Sequence, residues 1–492
     1  IRNGKKFIQA VRRTALKKPV LVIKSGRSSK GAQAAASHTG SLAGSDDVFD
    51  DVIRQCGALR AESTKEAFNW AMLLLDNPLP TEDNIVIITN GGGAGVMAAD
   101  ACEKYGVNLY DDPQDLKRVF TPAIPAFGSS KNPIDITGQA TASDYEKAFD
   151  AALADDNIHT VFAIYCETAL STAAELENIV EKNYKKFKDK KKLIVFSLFG
   201  GQRTSDYVTA TRKQGIPVSD DVYDTASALG AMYRYKEYRE THSPTDKMAE
   251  ITLDVDPITA IVTSVKRKGR YFLLAHEAQQ IMDMAGIRIP KSIQAQTVAG
   301  AIEAAATIGY PVVMKVVSKD IIHKSDAGGI ALDLENKNEV IDAYGAILRN
   351  SHERVPGAVI EGVDISEMVK KGTELIVGAR RDNIFGPIIM IGLGGIYVEV
   401  MKDVSFRSLP VSLQDINSMI QELRSYPLLL GVRGEEMKDI PAIVNVIIIL
   451  GAILNSCPRI SDIEINPLVV YEHGEGVRAV DVRIILSKNE ER

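Results

Sequence analysis

The sequence has few of the residues that mark several large classes of protein. Its four cysteines among 492 residues are far apart and form no Cys-x-x-Cys motif, which argues against a cysteine-based zinc site and is typical of a reducing compartment. No Gly-Lys pair is followed by Ser or Thr, so a Walker A motif is excluded. The longest apolar stretch, 446–454, is too short to span a bilayer and predicts a buried helix. The net charge of −6 argues against nucleic-acid binding. We therefore expect a cytoplasmic protein that binds neither membranes nor nucleic acids.

Acidic residues are absent from the beginning of the chain. Ten Lys or Arg residues precede Asp46, the first acidic residue. A mitochondrial transit peptide would share this bias. A strand-like run at 19–26 follows at once, which favours a basic helix leading into an α/β unit. This local positive charge in an acidic protein predicts an anionic ligand at this end.

Apolar runs alternate with helical patterns, which predicts an α/β protein with doubly wound domains. In the first segment a strand at 20–24 is followed by a Gly-rich loop and helices, which is half of such a fold. The predicted domains are a partial α/β domain at 1–78, a complete doubly wound domain at 79–240, a linker at 241–254 and a third unit at 255–492. Strands are predicted at 85–89, 160–165, 192–198, 462–471 and 478–486, and helices at 65–75 and 277–285.

Small residues surround one histidine in the first Gly-rich loop. His38 lies between the first strand and a helix predicted to begin near Ser45. Glycine and serine allow a ligand to approach the backbone, and the N–H groups of a helix start attract anions. Neutral imidazole is a good nucleophile near pH 7, so His38 is a candidate phosphoryl acceptor. A surface histidine in a flexible loop is the alternative. The candidate phosphate-binding residues here are Gly26, Arg27, Ser37, Gly40 and Ser41.

A second glycine-rich turn lies at 89–95, between a predicted strand and a predicted helix. A strand, a glycine run and a helix often cradle phosphate. The alternative is a tight turn in which glycine only permits close packing. The candidate phosphate-binding residues here are Gly91, Gly92, Gly93 and Gly95.

A lysine, Lys315, interrupts an apolar strand-like run and is followed by His323 on a polar loop. A lysine in such a strand needs an anionic partner to stay charged, and a nucleotide phosphate is a natural candidate. The alternatives are an edge-strand lysine that reaches solvent and a loop histidine without a role.

Acidic and amide side chains alternate near the end of the chain. In a strand, Asp462, Glu464 and Asn466 share one face, and Asp481 follows on the next predicted strand. Hard oxygen ligands supplemented by phosphate oxygens suit Mg²⁺. The alternative is the exposed face of an edge strand.

Together these stretches resemble the nucleotide-diphosphate-forming acyl-CoA synthetases, relatives of succinyl-CoA synthetase, and among them the ADP-forming acetyl-CoA synthetases. The resemblance covers nearly the whole chain in order. It lies in KSGRSSKGAQAAASHTGSLAGSD (24–46), TNGGGAGVMAAD (89–100), NPIDITG (132–138), YPVVMKVVSKDIIHKSDAGGI (310–330), 372–407, YPLLLGVRG (426–434) and EINPLVV (464–470).

The resemblance implies flavodoxin-like, succinyl-CoA synthetase-like domains followed by a C-terminal ATP-grasp domain. It implies the reaction acyl-CoA + ADP + phosphate ⇌ carboxylic acid + ATP + CoA, with acetate as the expected acid, through an acyl phosphate and a phosphohistidine. His38 matches the phosphorylated histidine, and His323 matches a second histidine that carries the phosphoryl group toward the nucleotide. The implied nucleotide-binding residues are Lys315, Glu367, Met368, Val369 and Glu374, and the implied Mg²⁺ ligands are Asn466, Asp481 and Glu464.

The family also implies features beyond these residues. Complete members carry an N-terminal CoA-binding domain and a glutamate upstream of the phosphohistidine loop, so we expect this chain to be a fragment of a longer fused enzyme. Members form homodimers or heterotetramers. Two other functions stay open: a non-catalytic nucleotide-sensing module on the same fold, and an ATP-grasp carboxylate ligase that needs no phosphohistidine. The His38→Ala variant separates the last from the synthetase.

Overall fold

The chain folds into two compact units. In the computed structural model, one unit comprises residues 6–246, and the other comprises residues 247–492 together with residues 1–5. We call them the N-terminal and C-terminal units. Among the described residues, no helix combines the length and hydropathy needed to cross a membrane. The structure describes residues 1–28, 30, 31, 33, 45–82, 84–168, 173–243, 247–321, 324, 326–395, 401, 403–432 and 434–488.

The first segment contains a small parallel sheet whose helix packs into the core of the larger sheet that follows. Its strands β1 and β2 pair in parallel, Leu21 with Leu59. Trp70 and Leu73 share a buried cluster with residues of the larger sheet, and Trp70 Nε1 donates to Ser227 Oγ (2.9 Å). Two strands cannot bury an apolar helix face alone, so this helix shares its neighbour's core. The elements are α1 (Gly4–Ala15), β1 (Leu21–Ile23), α2 (Asp46–Gln55), β2 (Leu59–Ala61) and α3 (Thr64–Asp76).

A doubly wound parallel sheet forms the rest of the N-terminal unit. The elements are β3 (Asn84–Thr89), α4 (Gly92–Lys104), β4 (Asn108–Leu109), α5 (Pro113–Phe120), β5 (Ile134–Asp135), α6 (Ala142–Ala154), β6 (Thr160–Cys166), α7 (Ala173–Asp189), β7 (Leu193–Phe199), α8 (Gln202–Lys213), β8 (Val218–Ser219) and α9 (Val222–Thr241). The strand order is β4-β3-β6-β7-β8, and β5 also pairs with β3. This is the flavodoxin-like order, in which the switch point lies between β3 and β6. The predicted fold of this part is confirmed.

The C-terminal unit begins with an antiparallel sheet in the order β11-β10-β12-β9. Helices α12 and α13 cover one face through Ala301, Ala304, Val340 and Ile347. The elements are α10 (Asp256–Arg267), α11 (Ala275–Met284), β9 (Ser292–Ala295), α12 (Val298–Ile308), β10 (Val312–Ser318), β11 (Ile330–Leu334), α13 (Lys337–Arg354) and β12 (Ile360–Glu367).

A second antiparallel sheet follows, in the order β15-β14-β13-β16-β17, with β18 also paired to β16. The predicted buried helix at 446–454 is confirmed, since it lies within α16 in the core of this sheet. The elements are β13 (Thr373–Asp382), β14 (Gly386–Leu393), β15 (Val404–Ser408), α14 (Leu413–Gln421), α15 (Tyr426–Leu430), α16 (Ile440–Ser456), β16 (Ile460–Val470), β17 (Val477–Ala479) and β18 (Val482–Leu486).

Two predicted segments differ from the structure. The single strand predicted at 478–486 is interrupted between β17 and β18. Pro467 on the neighbouring strand has no N–H for a regular ladder, and Asn466 N–H donates to the carbonyl of Asp481 (3.0 Å). The predicted linker also has local structure, because α9 continues to Thr241 and Ala249 N–H donates to the carbonyl of Val411 (2.7 Å). The predicted domain boundaries stay predictions.

Candidate active site

Lys315 lies on an interior strand of the first sheet in the C-terminal unit. Its strand, β10, has β11 on one side and β12 on the other, so Lys315 is not an edge-strand lysine. Its neighbours Met314 and Val316 are fully buried on the core side, which turns the lysine to the opposite face. Its Nζ donates to the carbonyl of Val480 (3.5 Å), in the interruption between β17 and β18. The lysine is therefore brought beside the second sheet.

Asn466 and Asp481 lie next to Val480, whose carbonyl accepts the hydrogen bond from Lys315. Asn466 N–H donates to the carbonyl of Asp481 (3.0 Å), so the interrupted ladder holds the two residues side by side. Asp481 is exposed, and no described cation lies within ion-pair distance of its carboxylate. Ile463 and Ile465 are buried, which confirms that Asp462, Glu464 and Asn466 share the other face. Because β16 is paired on both sides, the edge-strand alternative is excluded.

Glu374 lies against the glycine turn after β14. The N–H of Gly394 donates to the carbonyl of Glu374 (2.8 Å), and the N–H of Gly395 donates to Asn466 Oδ1 (3.4 Å). Gly395 has φ +70°, and a Cβ on it would lie 2.5 Å from Glu374 Oε2. Only glycine fits both the backbone conformation and the space. The turn thereby gathers Glu374 and Asn466 at one end of the sheet.

Glu464 differs from its two neighbours in the predicted metal set. Arg483 NH2 lies 2.9 Å from Glu464 Oε2 and 3.8 Å from Asp462 Oδ1. Burial raises the pKa of Glu464, and the Arg483 charge opposes that shift. A carboxylate already paired with a guanidinium is a poorer metal ligand than an unpaired one, so the geometry favours Asn466 and Asp481.

The predicted adenine hinge, Glu367–Met368–Val369, lies where the chain crosses between the two sheets. Glu367 ends β12, and β13 begins the second sheet at Thr373. Glu367 N–H donates to the carbonyl of Lys291 (2.9 Å), and Met368 N–H donates to the carbonyl of Pro311 (3.3 Å). These hydrogen bonds anchor the crossover to the first sheet directly before the starts of β9 and β10.

The glycine-rich turn after β3 lies at the switch point of the N-terminal unit. Asn90 forms two hydrogen bonds across this switch point. Its Nδ2 donates to the carbonyl of Cys166 (2.8 Å), and its Oδ1 accepts from the N–H of Cys166 (2.7 Å). The side chain therefore bridges the ends of β3 and β6. In doubly wound sheets, ligands bind in the crevice at this position.

The four candidate glycines of this turn do different things. A Cβ on Gly91 would lie 2.7 Å from Cys166 Sγ, and one on Gly95 would lie 2.9 Å from Thr89 Cγ2. These two glycines permit close packing, which is the alternative that the sequence left open for this turn. Gly92 and Gly93 are exposed, and a Cβ on Gly93 would meet nothing within 4 Å. The first turn of α4 thus has an open side, and no side chain caps it.

The start of α8, at the same edge of the sheet, is already occupied by a side chain. Glu167, directly after β6, accepts from the N–H of Gly201 (2.7 Å) and from Thr204 Oγ1 (2.9 Å) at the start of α8. These hydrogen bonds lower the pKa of Glu167. A carboxylate of the chain satisfies the start of α8, whereas no side chain caps the start of α4.

The loop after β1 is described only in part. Gly26 has φ +84°, and Arg27 pairs with Glu62 (2.8 Å). Asp46, the first residue of α2, pairs with Lys24 (2.6 Å) and Arg60 (2.8 Å), so acidic partners neutralise part of the basic charge at this end. His38, Ser37, Gly40 and Ser41 lie outside the described residues, and so does His323 on its own loop.

Sequence analysis missed several residues of these sites. Asn90 and Glu167 each follow a buried strand directly, which is a readable signal for side chains at the ligand-binding edge. Asp135, the last residue of β5, is a third missed residue. It lies close to the glycine-rich turn, since a Cβ on Gly92 would lie 3.1 Å from Asp135 Oδ2. Asp364 on β12 lies opposite Lys315, and only strand pairing reveals that relation.

The residues of the C-terminal unit fit Mg²⁺. Within the described part of the chain, no three His, Cys, Asp or Glu side chains cluster as metal ligands. Asp481 offers an unpaired carboxylate and Asn466 an amide oxygen, which is too few for a protein-only cage. Mg²⁺ commonly takes one or two protein oxygens and completes its shell with phosphate oxygens and water.

Three family models together cover most of the chain. One described as a succinyl-CoA ligase like flavodoxin domain matches residues 1–74, one described as a ligase-CoA domain matches residues 85–242, and one described as an ATP-grasp domain matches residues 264–486. The flavodoxin-like sheet and the pair of antiparallel sheets lie within the last two matches. The predicted combination of flavodoxin-like domains with a C-terminal ATP-grasp domain is confirmed.

Named relatives match over nearly the whole chain. A 4-hydroxybutyrate–CoA ligase (ADP-forming) of Nitrosopumilus maritimus is 37% identical over 98% of this chain and 68% of the relative. An acetate–CoA ligase (ADP-forming) of Archaeoglobus fulgidus is 36% identical over 99% of this chain and 69% of the relative. A trans-feruloyl-CoA synthase from an unknown prokaryotic organism is 29% identical over 99% of this chain and 68% of the relative. The chain thus spans about two thirds of these relatives' lengths, and it belongs to the ADP-forming acyl-CoA synthetase family of acid–thiol ligases.

Proposed function

We propose that the chain interconverts acyl-CoA, ADP and phosphate with a carboxylic acid, ATP and CoA, and that the C-terminal unit binds the nucleotide. The observation that carries this proposal is the meeting of Lys315 with the strand interruption that holds Asn466 and Asp481. An ammonium group beside hard oxygen ligands suits a nucleotide phosphate. Glu374 and the hinge residues Glu367–Val369 complete the proposed nucleotide site.

Asn466 and Asp481 would hold Mg²⁺, with Glu464 the weaker candidate because of its ion pair with Arg483. The ion, when bound, supplies charge neutralisation for the phosphate oxygens. Lys315 adds a positive charge on the facing sheet, so the phosphates would lie between the lysine and the acidic strand. Lys315 and Asn466 lie on strands, and a backbone hydrogen bond ties Asp481 to Asn466, which keeps the arrangement preorganised.

The phosphoryl relay is proposed to run through His38. A phosphate oxygen attacks the thioester carbon, the C–S bond breaks, and CoA leaves to give an acyl phosphate. An imidazole nitrogen of His38 then attacks phosphorus, and the P–O bond to the acid breaks as the P–N bond forms. A terminal oxygen of ADP takes the phosphoryl group as the P–N bond breaks, giving ATP. His323 is proposed as a second carrier toward the nucleotide.

The anionic groups at the acyl end are proposed to meet the open start of α4. Gly93 leaves room for a phosphoryl group beside the N–H groups of the first helical turn. Glycine and serine residues of the histidine loop, with Arg27, are proposed to add further donors. The acid is proposed to be acetate, and the relatives' names show that 4-hydroxybutyrate and ferulate are alternatives within the family.

The assembly and compartment are also proposals. A homodimer or a heterotetramer is proposed, with the nucleotide, phosphate, acid and CoA as the small-molecule partners. Four cysteines, all free in the structure, support a reducing cytoplasm.

The experiment that tests the relay is phosphoenzyme mapping. The protein is incubated with Mg²⁺ and γ-labelled ATP, and acid-labile label is located by mass spectrometry. We expect label on His38, His323 or both, and loss of ATP formation from acetyl phosphate and ADP in the His38→Ala variant. The His352→Gln variant, which changes an exposed histidine of α13, is the matched control and should behave as wild type.

Absence of label on both histidines, with ATP binding intact by calorimetry, would refute the relay and leave the nucleotide-sensing module. Full activity of His38→Ala would instead indicate a carboxylate ligase that needs no phosphohistidine. Label on His323 alone would support phosphoryl transfer between the nucleotide and His323, but not transfer between His323 and His38.

A further inference from the structure

A carboxylate lies directly opposite Lys315 in the first sheet of the C-terminal unit. Asp364 on β12 is the register partner of Lys315 on β10. Opposite residues of an antiparallel pair point to the same face, with Cβ atoms about 5 Å apart. Val363 and Ile365 are fully buried on the core side, so Asp364 joins Lys315 on the face that meets Val480.

The surroundings of Asp364 keep its carboxylate out of water, and no cation among the described residues lies within ion-pair distance of it. Burial raises the pKa of Asp364, while the charge of Lys315 opposes that shift. Weaker charge interactions with Lys324, on the loop after β10, and with His276, on α11, also oppose the rise in this pKa. Lys315 acts on Asp364 through charge alone, and its Nζ donates to the carbonyl of Val480.

We propose that Asp364 is a positioning residue that serves as the counter-charge of Lys315, competing with nucleotide phosphate for the ammonium group. This inference rests on the proposed role of Lys315 in nucleotide binding. Without nucleotide, the carboxylate of Asp364 attracts the ammonium group of Lys315 on the shared face of the sheet. This attraction reduces the free-energy cost of burying the lysine charge. When phosphate arrives, the ammonium group exchanges one anion for another, so nucleotide binds more weakly than it would to an unpaired lysine.

The consequence is a predicted gain of affinity when the carboxylate is removed. In Asp364→Asn the shape is kept and the competing charge is lost. We expect ATP to bind about ten- to a hundredfold more tightly, the effect of one unit charge about 6–10 Å away at the effective dielectric of a protein surface. In the direction of ATP synthesis, KM for ADP and kcat should fall together, because tighter product binding slows release. A residue with a merely structural role would weaken binding and lower the melting temperature.

The test is calorimetric titration of the full chain with Mg²⁺ and ATP. The variants are Asp364→Asn, Lys315→Met and the double variant, with Asp364→Glu as the conservative replacement that should retain wild-type affinity. Asp333→Asn is the charge-matched control, since Asp333 is exposed on β11 of the same sheet and has φ +60°, which asparagine tolerates. Should Asp364→Asn fail to fold, Asp364→Ser supplies the same loss of charge.

Tighter ATP binding in Asp364→Asn that disappears in the Lys315→Met background would support the inference, because the coupling then runs through the lysine. Unchanged or weaker binding in Asp364→Asn would overturn it, and so would a gain that persists without Lys315. Wild-type affinity in Lys315→Met would refute the proposed nucleotide role of the lysine itself. Weak binding in Lys315→Met with no effect of Asp364→Asn would refute only the counter-charge.

Discussion

The glycine-rich turn after β3 gives a prediction in which stability and activity move in opposite directions. Gly93 is the second residue of α4, it is exposed, and a Cβ there meets nothing within 4 Å. Gly95 is buried two residues later, and its Cβ would lie 2.9 Å from Thr89 Cγ2 and 3.2 Å from Pro133 Cβ. If Gly93 leaves room for a phosphoryl group while Gly95 leaves room for packing, alanine at the two positions should have opposite effects.

The stability changes follow from the two environments. Gly93→Ala should stabilise the fold by about 0.5 kcal/mol, because alanine loses less backbone freedom in a helix. Gly95→Ala gains similar propensity but pays an overpacking cost of about 1–3 kcal/mol, for a net loss of about 1–2 kcal/mol. For a unit of this size that corresponds to a melting temperature lower by about 2–8 °C.

The activity changes run the other way. In Gly93→Ala the added methyl group would displace a phosphoryl group by about 1 Å, and displacement of a reacting group on that scale can cost about 100-fold in rate. Gly95→Ala should retain wild-type activity per folded molecule below its melting temperature. The assay is ATP formation from acetyl phosphate and ADP, which needs no CoA, combined with thermal unfolding. Wild-type activity in Gly93→Ala would refute the argument, because it would show that no ligand approaches the open side of α4.

Two further predictions concern the C-terminal unit. Asp481→Asn should raise the Mg²⁺ concentration needed for phosphoenzyme formation about tenfold or more. Glu464→Gln should change that concentration by less than about threefold, because Arg483 already pairs with Glu464. Equal effects of the two variants in a Mg²⁺ titration would contradict the assignment of Asp481 as the metal ligand. Burial raises the pKa of Glu277, but hydrogen bonds from Arg270 and the backbone N–H of Leu274 outweigh burial and hold that pKa below its ordinary 4.5. The stabilisation by this pair is therefore present above pH 4.5 and is lost as pH falls through the lower folded-state pKa. Glu277→Gln should be less stable than wild type by about 3 kcal/mol at pH 7, with the difference shrinking below pH 4.5 in urea unfolding; a constant difference from pH 7 to pH 3 would count against the ion pair.

The sequence predicted the buried elements well because their apolar patterns are local. The strands at 85–89, 160–165 and 192–198 and the helix at 446–454 lie within a residue of the observed elements or inside them. Continuous apolar runs indicate strands covered on both faces, and that information is contained within each run. The resemblance of the long motifs identified the family. Long matched stretches determine the order of the domains, whereas a single glycine or histidine carries little information about function.

The sequence alone determined the fold class, the family and the residue types available for phosphoryl chemistry. Only the tertiary structure decided between the alternatives for individual residues. Lys315 is an interior-strand lysine because β11 and β12 flank its strand, and Glu464 is paired because Arg483 lies opposite it. Gly91 and Gly93 look alike in the sequence, yet one faces Cys166 and the other faces open space. Each of these distinctions depends on a neighbour far away in the chain, and a linear pattern does not contain that neighbour until the sheets have formed.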